Sequence, residues 1–150
     1  KLIDHDADVN IKDVDGNTAL LHALIPFNAQ EHFTFLYYFN PRESKVVKIM
    51  TTLINAGSNV NCQKNDGFSP LMFAVMNSLE RIIPILLNYG ADFNAVSVKD
   101  NTKTAISFAT YKYFINESYI SALLERGANT SYINPDILLS LITKRETDVV

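Results

Sequence analysis

The sequence predicts an all-α solenoid, in which similar helical units stack in a row. A first pattern, rich in Leu and ending in Asn or Ser, recurs at 2–10, 53–61, 86–94 and 123–131. A second pattern recurs at 15–23, 66–74 and 101–109. Gly57 and Gly90, which hold the same place in the first pattern, are 33 residues apart, a spacing typical of repeat proteins.

The second pattern predicts the first helix of each unit. Thr18, Ser69 and Thr104 are residue types that cap the open N–H groups of a helix. Pro70 suits a first helical turn, where a backbone donor is not needed. Apolar residues then recur three apart on one helical face, as Leu20 and Ala23, Leu71 and Ala74, and Ile106 and Ala109.

The first pattern predicts the end of a second helix. A Leu-rich segment precedes Gly57, Gly90 or Gly127, and glycine is the residue that best accepts a left-handed helix end. Asp6 holds this place in the first unit and predicts a looser helix end. Pro84 falls inside the second helix of the middle unit and should kink or delay it.

The 33-residue period, with "DG.(S/T)(P/A)L..A" and "LL..GA(D/N)..N", resembles the ankyrin repeat over residues 2 to about 131. The resemblance implies helix-turn-helix units joined by β-hairpin loops. The family usually places a His after Thr-Pro-Leu, where its ring ties adjacent loops together. Leu21, Met72 and Ser107 stand there instead, and His22 lies one residue later. The loop-tying hydrogen bonds should therefore be missing or replaced.

We interpret the chain as one ankyrin-repeat domain. It comprises the end of a truncated repeat (1–12), a repeat with an insertion at about 26–42 (13–63), two further repeats (64–96 and 97–131) and a C-terminal capping helix (132–146). In the third repeat Thr102 replaces a glycine and the hairpin is two residues longer. Because a solenoid needs capped ends, we expect the native chain to extend upstream.

The insertion concentrates aromatic residues in the stretch "FTFLYYF", namely Phe33, Phe35, Tyr37, Tyr38 and Phe39. One interpretation is local packing, as a helical extension or a lid, because aromatic clusters are usually buried. The other is an exposed anchor for a partner, because Tyr and Phe are common at interface centres. The two interpretations are compatible.

Composition and charge argue against several classes of function. A net charge of −3 argues against a nucleic-acid partner, and no apolar run is long enough to span a membrane. A single cysteine, Cys62, cannot form an internal disulfide and favours a reducing compartment, the cytoplasm or nucleus. We expect a monomer without a cofactor.

Catalytic and metal motifs are missing from the sequence. The three histidines have no metal-ligand spacing, and no phosphate-binding loop or nucleophile motif occurs. Asp4, Asp6 and Asp8 have the spacing of a calcium loop, but Val9 replaces its glycine and Asp15 its glutamate. We therefore predict that the chain is not an enzyme.

The resemblance implies that a partner protein binds the concave face, made of hairpin tips and first helices. The candidate residues are Val14, Asp15, Asn17, His22, Lys64, Asn65, Phe68, Phe73, Lys99, Asn101, Lys103 and Phe108. Phe73 and Phe108 either pack between repeats or face the partner. Asn10 and Asn94 also match the Leu-x5-Asp-Φ-Asn form of ankyrin substrates of an asparaginyl hydroxylase.

Three functions are compatible with this interpretation. The leading one is a protein-binding module that resembles ankyrin inhibitors of transcription factors, such as the inhibitor of NF-κB. The second is an ankyrin segment of a larger enzyme or channel, which docks a partner or senses a ligand. The third is a small-molecule receptor, although no pairing of a basic with an aromatic residue stands out in the sequence.

Overall fold

The computed structural model describes residues 7–25, 41–98, 103–110 and 117–147, with the backbone alone described at 41–43, 142 and 144–147. Its elements are α1 (Ala19–Leu24), α2 (Pro41–Asn55), α3 (Pro70–Met76), α4 (Ile82–Asn88), α5 (Ala105–Ala109), α6 (Glu117–Glu125), a short 3-10 turn (Thr130–Tyr132) and α7 (Pro135–Thr147). Within these ranges the structure contains helices and turns but no β-strand. The predicted all-α fold is confirmed.

The helices form pairs that stack in chain order. α1 packs on α2, α3 on α4 and α5 on α6, and the first helices α1, α3 and α5 pack side by side. A single apolar core runs through all of these elements. Its fully buried side chains include Leu20, Met50, Leu71, Ile82, Leu86, Ile106, Ile120 and Leu123.

The predicted N-caps begin the first helices. Ser69 Oγ accepts a hydrogen bond from the Met72 N–H at 3.3 Å, directly before Pro70. Thr104 forms a reciprocal capping pair with Ser107 at the start of α5. Thr18 also precedes its helix in an extended conformation, but its hydroxyl contacts Cys62 Sγ of the next repeat at 3.2 Å instead of capping α1.

Glycine ends three of the second helices, as predicted. Gly57, Gly90 and Gly127 have φ angles of 91°, 81° and 90°, in the left-handed region that favours glycine. At the end of α2, the Gly57 N–H donates to Ile54 O and the Ser58 N–H donates to Leu53 O. Asp6, the predicted looser end, lies outside the described residues.

Pro84 delays α4, as the sequence predicted. The helix begins at Ile82, so Pro84 lies in the first turn, where its missing N–H is not needed. The chain reaches this start through a turn in which the Leu79 N–H donates to Ala74 O at 2.9 Å. Ser78 in that turn has a φ of 52°, the one positive φ of a non-glycine residue in the described ranges.

The C-terminal helix packs on the last repeat. Ile137, Leu138 and Leu141 of α7 are half-buried against the core. Asn134 Oδ1 accepts from the Asp136 N–H at 2.9 Å, next to Pro135 at the start of the helix. This end of the stack is therefore covered.

Candidate protein-binding surface

Three hairpin loops precede the first helices. A backbone hydrogen bond joins the two ends of each hairpin, from Asp13 N–H to Asn17 O, from Lys64 N–H to Phe68 O, and from Ser97 N–H to Lys103 O, at 2.9–3.0 Å. The third bond spans six residues where the others span four, which confirms that the third hairpin is two residues longer. These bonds fix the register, so that Val14, Asn65 and Val98 are equivalent positions, and we call these three residues the tip row.

Neighbouring hairpins are bonded to each other along the tip row. The Asn65 N–H donates to Asp15 O at 3.1 Å, and the Asn65 side-chain amide donates to Val14 O at 2.9 Å. One repeat further, the Val98 N–H donates to Asp66 O at 3.1 Å. Neighbouring loops are thus joined by hydrogen bonds, although Leu21, Met72 and Ser107 stand at the positions where the family usually has His.

Other side chains reinforce this connection between loops. Ser97 Oγ donates to Asp66 O at 2.9 Å, and Lys12 Nζ donates to Gln63 O at 3.0 Å. Gln63 Nε2 donates to Gly67 O at 2.8 Å within its own loop. The sequence did not single out Gln63 or Ser97, because polar residues are expected in any loop.

The close approach of the loops explains two glycines. A Cβ atom at Gly16 would lie 2.5 Å from Asn65 Oδ1, and one at Gly67 would lie 2.3 Å from Val98 N. Both glycines also have positive φ angles, 81° and 85°. Glycine is therefore required at these positions by the neighbouring hairpin as well as by the turn.

Aliphatic side chains at the hairpins face solvent. Val14 is 94% exposed and Val98 is 68% exposed, and Ile11 beside the first hairpin is 69% exposed. Val14 is one of the predicted binding residues, whereas the sequence did not single out Ile11 or Val98 as exposed. The sequence signal for such exposed side chains was a β-branched apolar residue at a loop position where polar residues are usual.

The first hairpin is joined to α1 through Asp13. Its carboxylate accepts from the backbone N–H groups of Asp15 and Asn17, from the Asn17 side-chain amide at 3.0 Å, and contacts His22 Nε2 at 2.7 Å. The Asn17 side-chain hydrogen bond is the largest cause that lowers the pKa of Asp13 to about 2, with the backbone donors and His22 adding to it. His22 itself is exposed on α1, so the predicted surface position is correct.

A cluster of three aromatic rings lies between the second and third repeats. The Phe68 ring centroid is 5.4 Å from that of Phe73 and 5.3 Å from that of Phe108, with tilted rings. Phe73 is buried, while Phe68 and Phe108 are half-buried. The cluster packs the repeats together, and the open sides of Phe68 and Phe108 remain accessible to a partner.

The structure separates the other predicted residues into exposed and buried ones. Asp15, Asn65 and Lys103 are exposed and Lys64 is partly exposed beside Asp66, its ion-pair partner at 3.5 Å. Asn17 is only 5% exposed and Phe73 only 7%, since the first is held by Asp13 and the second by neighbouring rings. We therefore leave Asn17 and Phe73 out of the contact surface. The remaining predicted residues lie outside the described ranges: Lys99, Asn101 and the insertion aromatics Phe33, Phe35, Tyr37, Tyr38 and Phe39.

Asparagines at one repeated position link each unit to the next. Asn10 donates to Gly57 O at 3.0 Å and accepts from the Asn59 N–H at 2.8 Å. Asn61 makes the same pair of bonds to Gly90 and Asp92, and Asn94 accepts from the Asn129 N–H at 2.9 Å. The two predicted hydroxylation positions, Asn10 and Asn94, are thus exposed but hydrogen-bonded.

The described part of the chain bears on the sequence prediction about metal-binding and cysteine residues. It holds no group of three His, Cys, Asp or Glu side chains placed to bind a metal ion. Burial raises the pKa of the Cys62 thiol, which keeps it in its neutral form. None of the described helices combines the length and the apolar character that crossing a bilayer requires.

Comparison with known proteins agrees with this architecture. The family model for ankyrin repeats (3 copies) matches residues 42–134, more than half of the chain. Neurogenic locus notch homolog protein 1 from Cricetulus griseus and that from Mus musculus are each 30% identical over 134 residues, 89% of this chain. Potassium channel AKT2/3 from Arabidopsis thaliana is 27% identical over 110 residues, 64% of this chain. The chain spans 4% of the length of the two notch homologs and 14% of that of the channel.

Proposed function

Because the chain belongs to the ankyrin-repeat family, whose repeats are protein–protein interaction modules, we propose that it binds a partner protein and catalyses no reaction itself. The partner contacts the inner face, which we define as the tip row together with the exposed sides of α1, α3 and α5. The observation that carries the proposal is the tip row, where Val14 and Val98 expose aliphatic side chains on a backbone held by hydrogen bonds between loops.

The physical argument rests on preorganisation. Binding costs less free energy when the contact surface is already ordered, because fewer side chains and loops lose freedom on association. The bonds from Asn65 and Val98 to the preceding hairpin hold the tips in place before a partner arrives. Exposed aliphatic side chains on such a rigid row gain free energy when the partner covers them.

Polar groups around the tip row would set the specificity. Asp15 and Asn65 are exposed beside Val14, and His22 with Asp13 forms a polar edge where the first hairpin meets α1. Lys64, Lys103 and the open sides of Phe68 and Phe108 extend the surface toward the third repeat. The mixture of charges, with a net charge of −3 for the chain, favours a protein rather than a nucleic acid as the partner.

The proposed binding has two forms, which differ in whether the chain acts alone or as part of a larger protein. In the narrower proposal, the chain is a monomeric intracellular regulator in the cytoplasm or nucleus, which occupies its partner in the manner of an inhibitor of NF-κB. In the second, it is the docking segment of a larger enzyme or channel. The similarity to a potassium channel, of which the chain spans 14%, favours the second. Sequencing the whole reading frame distinguishes them.

The binding test compares two variants with matched chemistry. In the first, Val14→Asp and Val98→Asp place charges on the tip row, and in the control Ile49→Asp places a charge on α2, where Ile49 is 49% exposed. Partners captured from lysate by the intact chain are identified by mass spectrometry, and the dissociation constant of a purified partner is then measured. We expect the tip-row variant to bind at least about tenfold more weakly and the control to bind normally.

A deletion of residues 28–41 tests the insertion in the same assay. If only the deletion abolishes binding, while its circular dichroism remains that of the intact chain, the aromatic insertion and not the tip row is the anchor. If the tip-row variant and the deletion both bind normally, the proposed surface is wrong.

A further inference from the structure

Two Asp-Gly pairs occupy equivalent places in the first and second hairpins. They are Asp15 with Gly16 and Asp66 with Gly67. An aspartate followed by glycine can cyclise onto the backbone, because glycine presents its amide nitrogen to the preceding carboxyl group with no side chain in the way. The two glycines have the same turn conformation, with φ angles of 81° and 85°. The chain therefore offers the same chemistry in two different surroundings.

The carboxylate of Asp66 is held in place, whereas that of Asp15 is not. Asp66 Oδ1 accepts from the Phe68 N–H at 3.1 Å, and Asp66 Oδ2 lies 3.5 Å from Lys64 Nζ. In the part of the chain that the structure describes, the exposed Asp15 carboxylate has neither a hydrogen-bond partner nor an ion-pair partner. The Asp15 carboxyl group is therefore the one that can turn toward the next amide nitrogen.

One sequence difference between the hairpins explains this contrast. Asp13 stands where the second hairpin has a lysine, and Asp13 Oδ1 accepts from the Asn17 N–H at 2.8 Å. The equivalent N–H of the second hairpin is that of Phe68, which donates to Asp66 instead. Asp15 therefore lacks both the backbone donor and the cation that hold its counterpart.

The main-chain carbonyl groups of the two aspartates differ in the same direction. Asp66 O accepts from the Val98 N–H at 3.1 Å and from Ser97 Oγ at 2.9 Å. Among the described residues, Asp15 O accepts from the Asn65 N–H alone, at 3.1 Å. Cyclisation requires the aspartate to rotate about the bond that leads to this carbonyl group. Such local opening costs less free energy at Asp15, because fewer hydrogen bonds break there.

We propose that Asp15 is a site of spontaneous isomerisation to isoaspartate, and that this conversion releases the second hairpin from the first. The Gly16 nitrogen attacks Cγ of the neutral Asp15 carboxyl group. The N–Cγ bond forms, the Cγ–OH bond breaks, and the hydroxyl group leaves with the amide proton as water. Water then opens the resulting succinimide ring by breaking the bond between the Gly16 nitrogen and the main-chain carbonyl carbon of Asp15. Water is the only co-reactant.

The product alters the contact between the two hairpins. Isoaspartate adds one methylene group to the backbone, and the former Asp15 carbonyl group becomes part of a carboxylate on a branch. The acceptor of the Asn65 N–H is thereby displaced. The space beside Gly16 does not allow the backbone to shift, since a Cβ atom there would lie 2.5 Å from Asn65 Oδ1. The hydrogen bond from Asn65 is therefore lost, while that from Val98 to Asp66 remains.

The full chain tests the site against Asp66 as an internal control. The folded protein is incubated for several weeks at neutral pH and body temperature. Digestion and electron-transfer mass spectrometry then distinguish isoaspartate from aspartate, and the succinimide is lighter by one water. We expect Asp15 to react at least about tenfold faster than Asp66, and the two sites to react at similar rates in guanidinium chloride. Equal rates in the folded chain, or the same preference in the unfolded chain, would overturn the proposal.

Two reciprocal substitutions test the cause of the difference. Asp13→Lys gives the first hairpin the lysine of the second and frees the Asn17 N–H, so it should slow the reaction at Asp15. Lys64→Asp should speed the reaction at Asp66. In each variant the unaltered hairpin is the control, and its rate should stay that of the wild type. A ratio of the two rates that both substitutions leave unchanged would contradict the proposal.

Amide hydrogen exchange, resolved by NMR, tests the consequence for the hairpins. In the isomerised chain, separated by chromatography, exchange of the Asn65 amide should be about tenfold faster or more, and that of Val98 unchanged. Asp15→Glu is the control, because its longer side chain would have to close a larger ring, so the incubated variant should keep Asn65 protected. An Asn65 amide that is equally protected in the isomerised and intact chains would show that the hairpins stay joined, against the proposal.

Discussion

The side-chain amide of Asn61 lies 3.0 Å from the carbonyl oxygen of Gly90, which is 29 residues further along the chain. The carbonyl oxygen of the same amide accepts from the Asp92 N–H at 2.7 Å. One side chain thus satisfies both an acceptor and a donor at the end of the next repeat's helix α4. Asparagine is suited to this bridge because its amide presents a donor and an acceptor in one plane.

We expect Asn61→Ala to lower the free energy of unfolding by about 1–2 kcal/mol, because it removes two hydrogen bonds between repeats. Urea unfolding followed by circular dichroism measures the change. Glu80→Ala is the control, since Glu80 is exposed in the turn before α4 and its loss should change stability by less than about 0.5 kcal/mol. A loss for Asn61→Ala no larger than that of the control would show that the bridge contributes nothing.

The aromatic cluster leads to a prediction that separates core from surface. Phe73→Ala should cost about 3–5 kcal/mol, because Phe73 is 7% exposed and its ring packs on Phe68. Val14→Ala should cost about 0.5 kcal/mol or less, because Val14 is 94% exposed. Thermal and urea unfolding of both variants provide the measurement. A stable Phe73→Ala protein that fails to bind its partner would instead assign Phe73 to the interface.

Local sequence signals predicted the helical framework well. Ser69 with Pro70, and the glycines at the ends of the second helices, act through contacts within a few residues, so their role is visible in the sequence. The effect of Pro84 on α4 could be predicted equally well, since a proline can occupy only the first turn of a helix without loss of a backbone hydrogen bond. These features depend on backbone conformation and not on distant partners.

The contacts between hairpins were not predictable in the same way. Gly16 is required partly because Asn65, 49 residues later, occupies the space of a Cβ atom. Cys62 is only 5% exposed because Thr18 of the preceding repeat lies against it, with 3.2 Å between Oγ1 and Sγ. Sequence patterns indicate which residues repeat, but the neighbour that each one meets follows only from the stack.

The hydrogen bonds to the Asp13 carboxylate predict that the stability of the fold depends on pH in the acidic range. Its pKa is about 2 in the folded chain, below the ordinary value of 3.8, chiefly because the Asn17 amide donates to it. The stabilisation is therefore present above about pH 4 and is lost as the pH falls through about 2, because the unfolded chain binds the proton more readily. The urea concentration at the midpoint of unfolding, measured between about pH 4 and about pH 2, should fall less steeply with pH for Asp13→Asn than for the wild type.

Val14→Asn provides the control for this measurement, since it changes the same hairpin without altering a carboxylate. It should keep the wild-type dependence on pH. If Asp13→Asn and the wild type lose stability in parallel between about pH 4 and about pH 2, the hydrogen bonds to Asp13 do not stabilise its charged form in solution.

The left-handed conformation of Ser78 predicts a stabilising substitution. Its φ of 52° costs a non-glycine residue about 1–2 kcal/mol, and Gly removes this strain but adds disorder to the unfolded chain worth about 0.5–1 kcal/mol. We expect Ser78→Gly to raise the free energy of unfolding by about 0.5–1 kcal/mol. Ser78→Val should lower it, because a β-branched residue fits this region worst.

Ser140→Gly is the matched control for Ser78→Gly. Ser140 lies in helix α7 with ordinary helical neighbours, so glycine there should destabilise by about 0.5–1 kcal/mol. Urea unfolding of the three variants gives the comparison. Destabilisation by glycine at both serines would mean that the turn at Ser78 relaxes in solution to a conformation without strain.

Hydroxylation by an asparaginyl hydroxylase should distinguish Asn94 from Asn10, although both match the substrate pattern. An asparagine must leave its bridge to enter an active site, and the cost rises with each hydrogen bond broken. Asn10 makes two bridging bonds, to Gly57 O and from the Asn59 N–H, whereas Asn94 is held by one, from the Asn129 N–H. One extra bond, worth about 0.5–1.5 kcal/mol, makes release of Asn94 roughly two- to tenfold more favourable.

The measurement is a time course with the purified enzyme, in which digestion and mass spectrometry locate the added oxygen. We expect Asn94 to be modified first, and Asn94→Ala to leave only the slower reaction at Asn10. Asn129→Pro removes the N–H that holds Asn94 and should speed its modification further in chains that remain folded by circular dichroism. Faster reaction at Asn10 would show that the bridging bonds do not govern access, and that the sequence around each asparagine decides instead.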